Sequence, residues 1–176
     1  MIVRLFGKMR LEILSPISDH PNNLLIIMEI STVAGTLLQN KGREMWTISP
    51  EATVYEAIQL MNEKKVGALP VMDGASLVGI VSERDYMSKV ILEGKASKET
   101  PVSDIMTRRV VTVTRDQTIS DCMRIITEER VRHLPVIEDG ALLGIVSIGD
   151  LVKWIIATQR MTIEQLENYI SGSYPG

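Results

Sequence analysis

Apolar positions along this chain follow one order in its first half and the same order again in its second. Val54, Ala57, Ile58 and Met61 recur at helical spacing, which predicts a helix with a single buried stripe. Thr53 precedes them and Glu56 follows Thr53 by three residues, the two side chains of a capping box. Two short apolar runs come next, Val66–Met72 and Leu77–Val81, separated by Asp73-Gly74. Their length, β-branched content and turn residues predict a hairpin. A short strand is expected ahead of the helix at Met45–Ile48, ended by Ser49-Pro50, and a second helix after the hairpin over Asp85–Glu93. The unit reads β-α-β-β-α.

The second half repeats it. A strand is expected at Val110–Val113, then a helix opened by Thr118 and Asp121. Strands Arg132–Ile137 and Leu142–Val146 turn at Asp139-Gly140, and a helix runs from Asp150 to about Thr158. Gly79-Ile80-Val81-Ser82 returns as Gly144-Ile145-Val146-Ser147, and Leu69-Pro70-Val71 as Leu134-Pro135-Val136, at a constant offset of 65 residues. Such self-similarity marks one structural unit used twice. Two copies are too few for a solenoid, so the expected fold is α+β, with two β-α-β-β-α motifs packed about a pseudo-twofold axis. Any ligand is expected where the copies meet. Copy one is placed at 31–93, a polar linker at 94–101, copy two at 102–158, and a C-terminal helix (Ile163–Ile170) and tail at 159–176. Pro70 and Pro135 fall inside strands, which should therefore be edges or bulged, because proline donates nothing to a ladder. Residues 1–30 are expected to be a tail outside the fold, or sequence ahead of a start at Met28. Their apolar run, Leu24–Met28, is far too short to span a bilayer.

Composition narrows the function. Apolar residues make up 45% of the chain, enough for a core. A net charge of −3 gives no concentrated basic face for nucleic acid, and no membrane partner is expected. The single cysteine, Cys122, excludes an intrachain disulfide and fits a cytoplasmic protein. It falls on the apolar side of a helix, as a buried structural thiol would. Only His20 and His133 supply imidazole. With no metal-ligand spacing, no Gly-x-Ser-x-Gly and no Cys/His pair, catalysis is not expected. Neither Gly-x-Gly-x-x-Gly nor Gly-x-x-x-x-Gly-Lys-Ser/Thr occurs, which leaves Rossmann and P-loop sites unsupported.

The chemistry lies in the two Ser-x-x-Asp elements, Ser82 to Asp85 and Ser147 to Asp150. Each follows an apolar strand and opens a helix. Serine as N-cap with aspartate three residues on is a helix start signal that needs no ligand. Equally, a strand-to-helix junction exposes backbone N–H groups suited to phosphate, and an aspartate beside it can accept the hydroxyls of a ribose. Arg84 could meet phosphate or sit in solvent. In Arg130-Val131-Arg132-His133 the alternation of a strand puts the two arginines on one face and His133 on the other. This is a solvated edge or an anion-facing wall, while Gly67 and Ala68 leave room for a flat ring.

On these residues the chain resembles a tandem pair of CBS domains, a Bateman module, over about Val33 to Ile156. The motif carrying the likeness is Gly-Ile-Val-Ser-x-x-Asp with an upstream Leu-Pro-Val, present twice in register. Flanks at Gln39-Asn40-Lys41-Gly42, Val102–Thr107 and Glu164–Ile170 are similar to those of small stand-alone CBS-pair proteins. The resemblance implies two clefts between the copies for adenosyl ligands (AMP, ADP, ATP, S-adenosylmethionine, sometimes NAD). One cleft would use Ser82, Arg84 and Asp85, with Val110, Val111 and Thr112 at its base and Val131, Arg132 and His133 closing it. The other would use Ser147 and Asp150, with Met45, Trp46 and Thr47 at its base. Val66, Gly67 and Ala68 would wall it, with Arg132 or Lys41 near phosphate. Gly149 stands where copy one has Arg84, so the second cleft is expected to hold phosphate less firmly. AMP or ATP heads the candidates, as a regulatory ligand and not a catalytic cofactor. A homodimer is implied, with Leu151, Trp154, Ile155, Met87 and Val90 as its face, together with a regulated protein that the sequence does not name. Two other readings stand beside this one: a ligand-free interaction scaffold, and an enzyme using Asp85 and Asp150 as a carboxylate pair.

Overall fold

The computed structural model describes residues 32–42 and 45–170; the expectations for residues 1–30 lie outside them. By packing, residues 33–151 form one compact unit, and the helix beyond 151 belongs to another. The first unit contains copy one and copy two as far as Leu151.

Helix α1 (Ala34–Lys41) comes first. Copy one then builds helix α2 (Val54–Lys64), strands β1 (Ala68–Asp73) and β2 (Ser76–Ser82), and helix α3 (Glu83–Tyr86), which continues as a π-helical turn over Met87–Ile91. A 3-10 turn at Val102–Asp104 leads to copy two: strand β3 (Val113–Thr114), helix α4 (Ile119–Glu128), strands β4 (His133–Glu138) and β5 (Ala141–Ser147), and helix α5 (Ile148–Ile170). The fold is α+β, as the repeat predicts. Both capping boxes form: Thr53 Oγ1 accepts from Glu56 N–H and Thr118 Oγ1 from Asp121 N–H, and each acidic side chain reaches back. Both hairpins are antiparallel with matching registers, Leu69 opposite Val81 and Leu134 opposite Val146.

Three expectations change. The strand expected at Met45–Ile48 is a single bridge from Ile48 to Val71, and that expected at Val110–Val113 shrinks to Val113–Thr114. The prolines supply the reason. Ile48 N–H donates to the Pro70 carbonyl at 3.1 Å, and Met72 N–H donates to the Ile48 carbonyl at 2.9 Å. The next rung of this parallel ladder would need an N–H on Pro70 for the Trp46 carbonyl, and proline has none. Val113 opposite Val136 puts Val111 in the same position toward Pro135. Both strands also slip register just past their prolines, between Val71 and Met72 and between Val136 and Ile137, the irregularity that Pro inside a strand predicts. Third, the last helix expected in copy two and the C-terminal helix expected after it are one continuous helix, α5.

Each copy's core is finished by the segment that precedes the other. Val102, Ile105 and Met106, ahead of copy two, are buried with Val54, Met61, Leu69, Val71 and Val81 of copy one. Helix α1, ahead of copy one, docks on copy two: Ala34 N–H donates to the Gln117 carbonyl at 2.8 Å and Gly35 N–H to the Arg115 carbonyl at 2.9 Å. The glycine of each Gly-Ile-Val-Ser makes the exchange possible. A β-carbon on Gly79 would lie 2.5 Å from Met106 Sδ, and one on Gly144 would lie 2.9 Å from Leu38 Cδ2. Val90 and Leu151, expected on a dimer face, are fully buried in the chain's own core. Apolar side chains at these positions pack inward, and only Met87 of that copy-one pair is exposed, at 65%. Cys122 is buried, and burial, with Asp121 adding, pushes its thiol up to about 11, which keeps it protonated and unreactive.

Candidate functional site

Both Ser-x-x-Asp elements are closed capping boxes. Asp85 Oδ2 accepts from Ser82 N–H at 3.0 Å and from Ser82 Oγ at 2.6 Å. Asp150 Oδ2 accepts from Ser147 N–H at 2.8 Å and Ser147 Oγ at 2.7 Å. Each aspartate also holds a lysine, from a different place in the chain. Lys89, one helical turn on, donates to Asp85 Oδ1 at 2.7 Å and to the Ile105 carbonyl at 2.6 Å. Thr107 Oγ1 reaches the same Oδ1 at 3.4 Å. On the other side Lys41, the last residue of α1, donates to Asp150 Oδ2 at 2.7 Å and to the Ile145 carbonyl at 3.2 Å.

The two carboxylates are therefore unequal. Asp85 has both oxygens engaged and its side chain is 13% exposed. The hydrogen bonds to Asp150 fall on Oδ2, and among the described residues none donates to its Oδ1. Burial raises the Asp150 pKa, but the hydrogen bonds from Lys41 and Ser147, with the charge of Lys41, outweigh it and hold the carboxyl below its usual value. Asp150 is thus ionised at neutral pH.

Lys41 and Met45 also line a groove of about 640 Å³ between α1 and β5, floored by Leu38, Leu143, Gly144 and Ile145. At its far end the Arg115 guanidinium pairs with Glu138 at 3.2 Å. A volume of this size suits a small-molecule ligand. A second hollow, about 390 Å³, takes Val110 and Thr112 from the base expected for the first cleft. Neither Ser82 nor Asp85 borders it.

Of the remaining expected residues, His133 stands between the two Ser-x-x-Asp junctions. It lies opposite Ser147 in the β4–β5 register, which sets it beside the Asp150 cap, and its charge environment is that of Lys41, Asp150 and Arg132. Its ring also faces Gly67 of copy one, where a β-carbon would lie 3.5 Å from His133 Cε1 and 3.5 Å from Glu83 Oε2. Gly67 and His133 therefore join the copies near Asp150, as a small residue allows. Arg132 and Arg84 are exposed. Trp46 packs on the copy-one core with the Lys64 ammonium 4.2 Å from its ring centroid, so it does not line the groove. Ala68 is buried in the core, Val66, Thr47, Val111 and Val131 are half-buried, and none of these borders either hollow. Sequence reasoning missed Lys89, Thr107, Arg115 and Glu138. Lys89 was within reach, since four residues from Asp85 on a helix is an ion-pair spacing.

His133 gives the region a pH dependence. Burial, then the charge of Lys41, and lastly that of Arg132 hold its pKa below the usual value against the opposing pull of Asp150. Glu83 Oε2 also faces this pocket. Because the folded value lies below the unfolded value of about 6.5, the unfolded chain takes up the proton first as pH falls. Stability is expected to be flat from pH 8 to 7 and to decline below about pH 6.5. Melting temperatures of wild type and His133→Gln across that range check this: the variant should lose the decline.

The CBS domain profile matches residues 42–91 and 102–157, one match per copy. The chain belongs to the CBS-domain family. The CBS domain-containing protein CBSX3, mitochondrial, of Arabidopsis thaliana is 38% identical over 154 residues, covering 82% of this chain and 74% of that one. The CBS domain-containing protein YhcV of Bacillus subtilis is 31% identical over 127 residues, covering 72% and 83%. A solved protein with CBS domains from Burkholderia ambifaria is 47% identical with a TM-score of 0.69, covering 72% of this chain and 95% of that chain. CBS domains are generally regulatory modules of signal transduction, and proteins made of them alone are generally non-catalytic. Among the described residues no helix is long and apolar enough to cross a membrane, and no acidic, histidine or cysteine group could hold a metal ion.

Proposed function

We propose that this CBS pair is a non-catalytic regulatory module that binds an adenosyl nucleotide at Asp150 and signals its presence to a partner protein. The carrying observation is the bond by which Lys41, which lines the 640 Å³ groove, holds Asp150, which lies outside that lining. Asp150 is an ionised carboxylate with one oxygen to which no described residue donates. Asp150 Oδ1 would accept a ribose hydroxyl, Met45 and Ile145 would lie against the base, and Lys41, with Arg132 near it, would meet phosphate. Gly149 in place of Arg84 does not weaken this cleft, because Lys41 brings its cation from α1. At Asp85 a ribose would first have to displace Lys89, so one nucleotide per chain is the expected tight stoichiometry. AMP or ATP is favoured, with NAD and S-adenosylmethionine as the other members of the ligand class.

Such a ligand would contact α1 and copy two at once, favouring their closed arrangement, and it could bias a partner only by that difference in affinity. A homodimer would be a natural frame for that response. Calorimetric titration with AMP, ATP, NAD and S-adenosylmethionine tests the reading. Ligand at about 100 times its dissociation constant stabilises the fold by about 2.7 kcal/mol, and Asp150→Asn should abolish the gain. No heat and no shift in melting temperature with any of the four at millimolar concentration would leave the alternative. That second reading, a ligand-free scaffold, is favoured by one observation: both aspartates already complete their own helix caps.

A further inference from the structure

The two hairpins share a register but differ at their outer edges. In copy one the far edge of β2 is closed: Ile80 N–H donates to the Thr107 carbonyl at 3.0 Å, and Thr107 N–H donates back at 2.8 Å. Ile145 is the equivalent residue of β5, opposite Pro135 as Ile80 is opposite Pro70. Its N–H and carbonyl therefore also face away from the hairpin. The equivalent of Thr107 at the repeat offset is Gly42, and no bridge joins it to Ile145. Among the described residues nothing accepts from the Ile145 N–H. The carbonyl receives Lys41 Nζ at 3.2 Å, which leaves it a second lone pair.

Strand β5 ends its sheet, in the order β3-β4-β5, and the 640 Å³ groove runs along this open edge between Leu143–Ile145 and α1. An unpaired strand edge is a template for a further strand. Recognition by strand addition draws affinity from such backbone groups and specificity from the side chains around them. Here those side chains are apolar in the middle and rich in donors at the ends. Leu38, Met45 and Leu143 line the middle. Arg115 engages Glu138 through Nη1, leaving Nε and Nη2 without an acceptor among the described residues. Gly35, which abuts Arg115 Nε, and Lys41 lie about 9 Å apart along α1. Glutamates two positions apart on an added strand, about 7 Å, reach both cations. The carboxylate in the lining, Glu138, is already neutralised, so the charge left to answer is positive.

We propose that this edge docks an extended acidic segment of a partner protein as an added strand, and that a nucleotide in the same groove excludes it. The docking stands on the open edge; the exclusion rests on the nucleotide reading above and gives it an output, release of the partner. The probes are two fluorescent nonapeptides, one alternating glutamate with valine and one alternating lysine with valine. In fluorescence anisotropy with the full chain the acidic peptide should bind about 10-fold more tightly than the basic one, and saturating AMP should release it. Hydrogen exchange locates the contact. In the free protein the Ile145 amide should exchange about 10-fold faster than that of Ile80, and the acidic peptide should slow it about 10-fold while leaving Ile80 unchanged. Ile145→Pro removes the outward donor and spares the β4 ladder, so it should abolish peptide binding; where the variant fails to fold, exchange at Ile145 decides. Equal binding of the two peptides, no binding of the acidic one, or an Ile145 amide that it does not slow overturns the docking and leaves the nucleotide reading intact. Peptide and AMP bound together overturn the exclusion. AMP that gives no heat overturns the nucleotide reading, and exchange at Ile145 still decides the docking.

Discussion

Asp85→Ala is expected to lower the unfolding free energy by about 2 kcal/mol while leaving any nucleotide response at the other cleft in place. Ser82 still caps the helix in this variant; what is lost is the reciprocal half of the capping box, hydrogen bonds to a charged acceptor worth about 1.5–3 kcal/mol. Asp85 also gathers Lys89 and Thr107 on its second oxygen, tying the end of β2 to the segment entering copy two. Lys89 is 36% exposed, so its share is discounted for solvent screening. Removing the carboxylate leaves Ser82 N–H, half-buried, without its acceptor. Urea denaturation with an unchanged slope would report this as a shift in midpoint. A variant as stable as wild type would mean that the cap contributes nothing, and loss of the ligand response would mean that the first aspartate binds after all.

Gly79→Val should cost about 3 kcal/mol, more than its neighbours in β2 would lead one to expect of an added apolar group. Added bulk in a packed core costs about 1–3 kcal/mol, and here the obstacle is near the top of that range. A first β-carbon already meets Met106 Cγ at 3.0 Å and Cβ at 3.3 Å as well as the sulfur. Those atoms lie near the main chain of a residue 7% exposed, so Met106 cannot yield by rotating its tip. The segment around it must retreat from β2, taking the hydrogen bonds between Ile80 and Thr107 at 2.8 and 3.0 Å with it. Thermal and urea unfolding would both register the loss. Substitution at Gly144 acts on Leu38, whose branch ends can turn more readily, and should cost less.

What could be read from the sequence was what is local. Capping boxes, hairpin turns at Asp73-Gly74 and Asp139-Gly140, and the repeat itself depend on residues a few positions apart, and all are present in the fold. The short strands before each helix were overestimated because their partner is a proline-bearing strand far away in sequence, and the missing donor counts only once the pairing is known. The lysines divide differently. Lys89 lies one helical turn from Asp85 and was legible in kind yet missed, whereas Lys41 was set in the cleft of Asp150 by the family resemblance, and its route there, α1 crossing to the opposite copy, was not legible. For His133 alternation gave the face of the strand, but only the register opposite Ser147 gave its second neighbour, the Asp150 cap.

The crossed packing has a consequence for how such a chain can be divided or can have arisen. A lone copy cut out at the 94–101 linker would carry an apolar seat with its filler left behind on the other fragment. The minimal viable object is a pair of halves, joined in one polypeptide or met as two molecules of a half-length ancestor trading arms. A gene fusion would have turned that trade from a bimolecular event into an intramolecular one, without inventing any new contact.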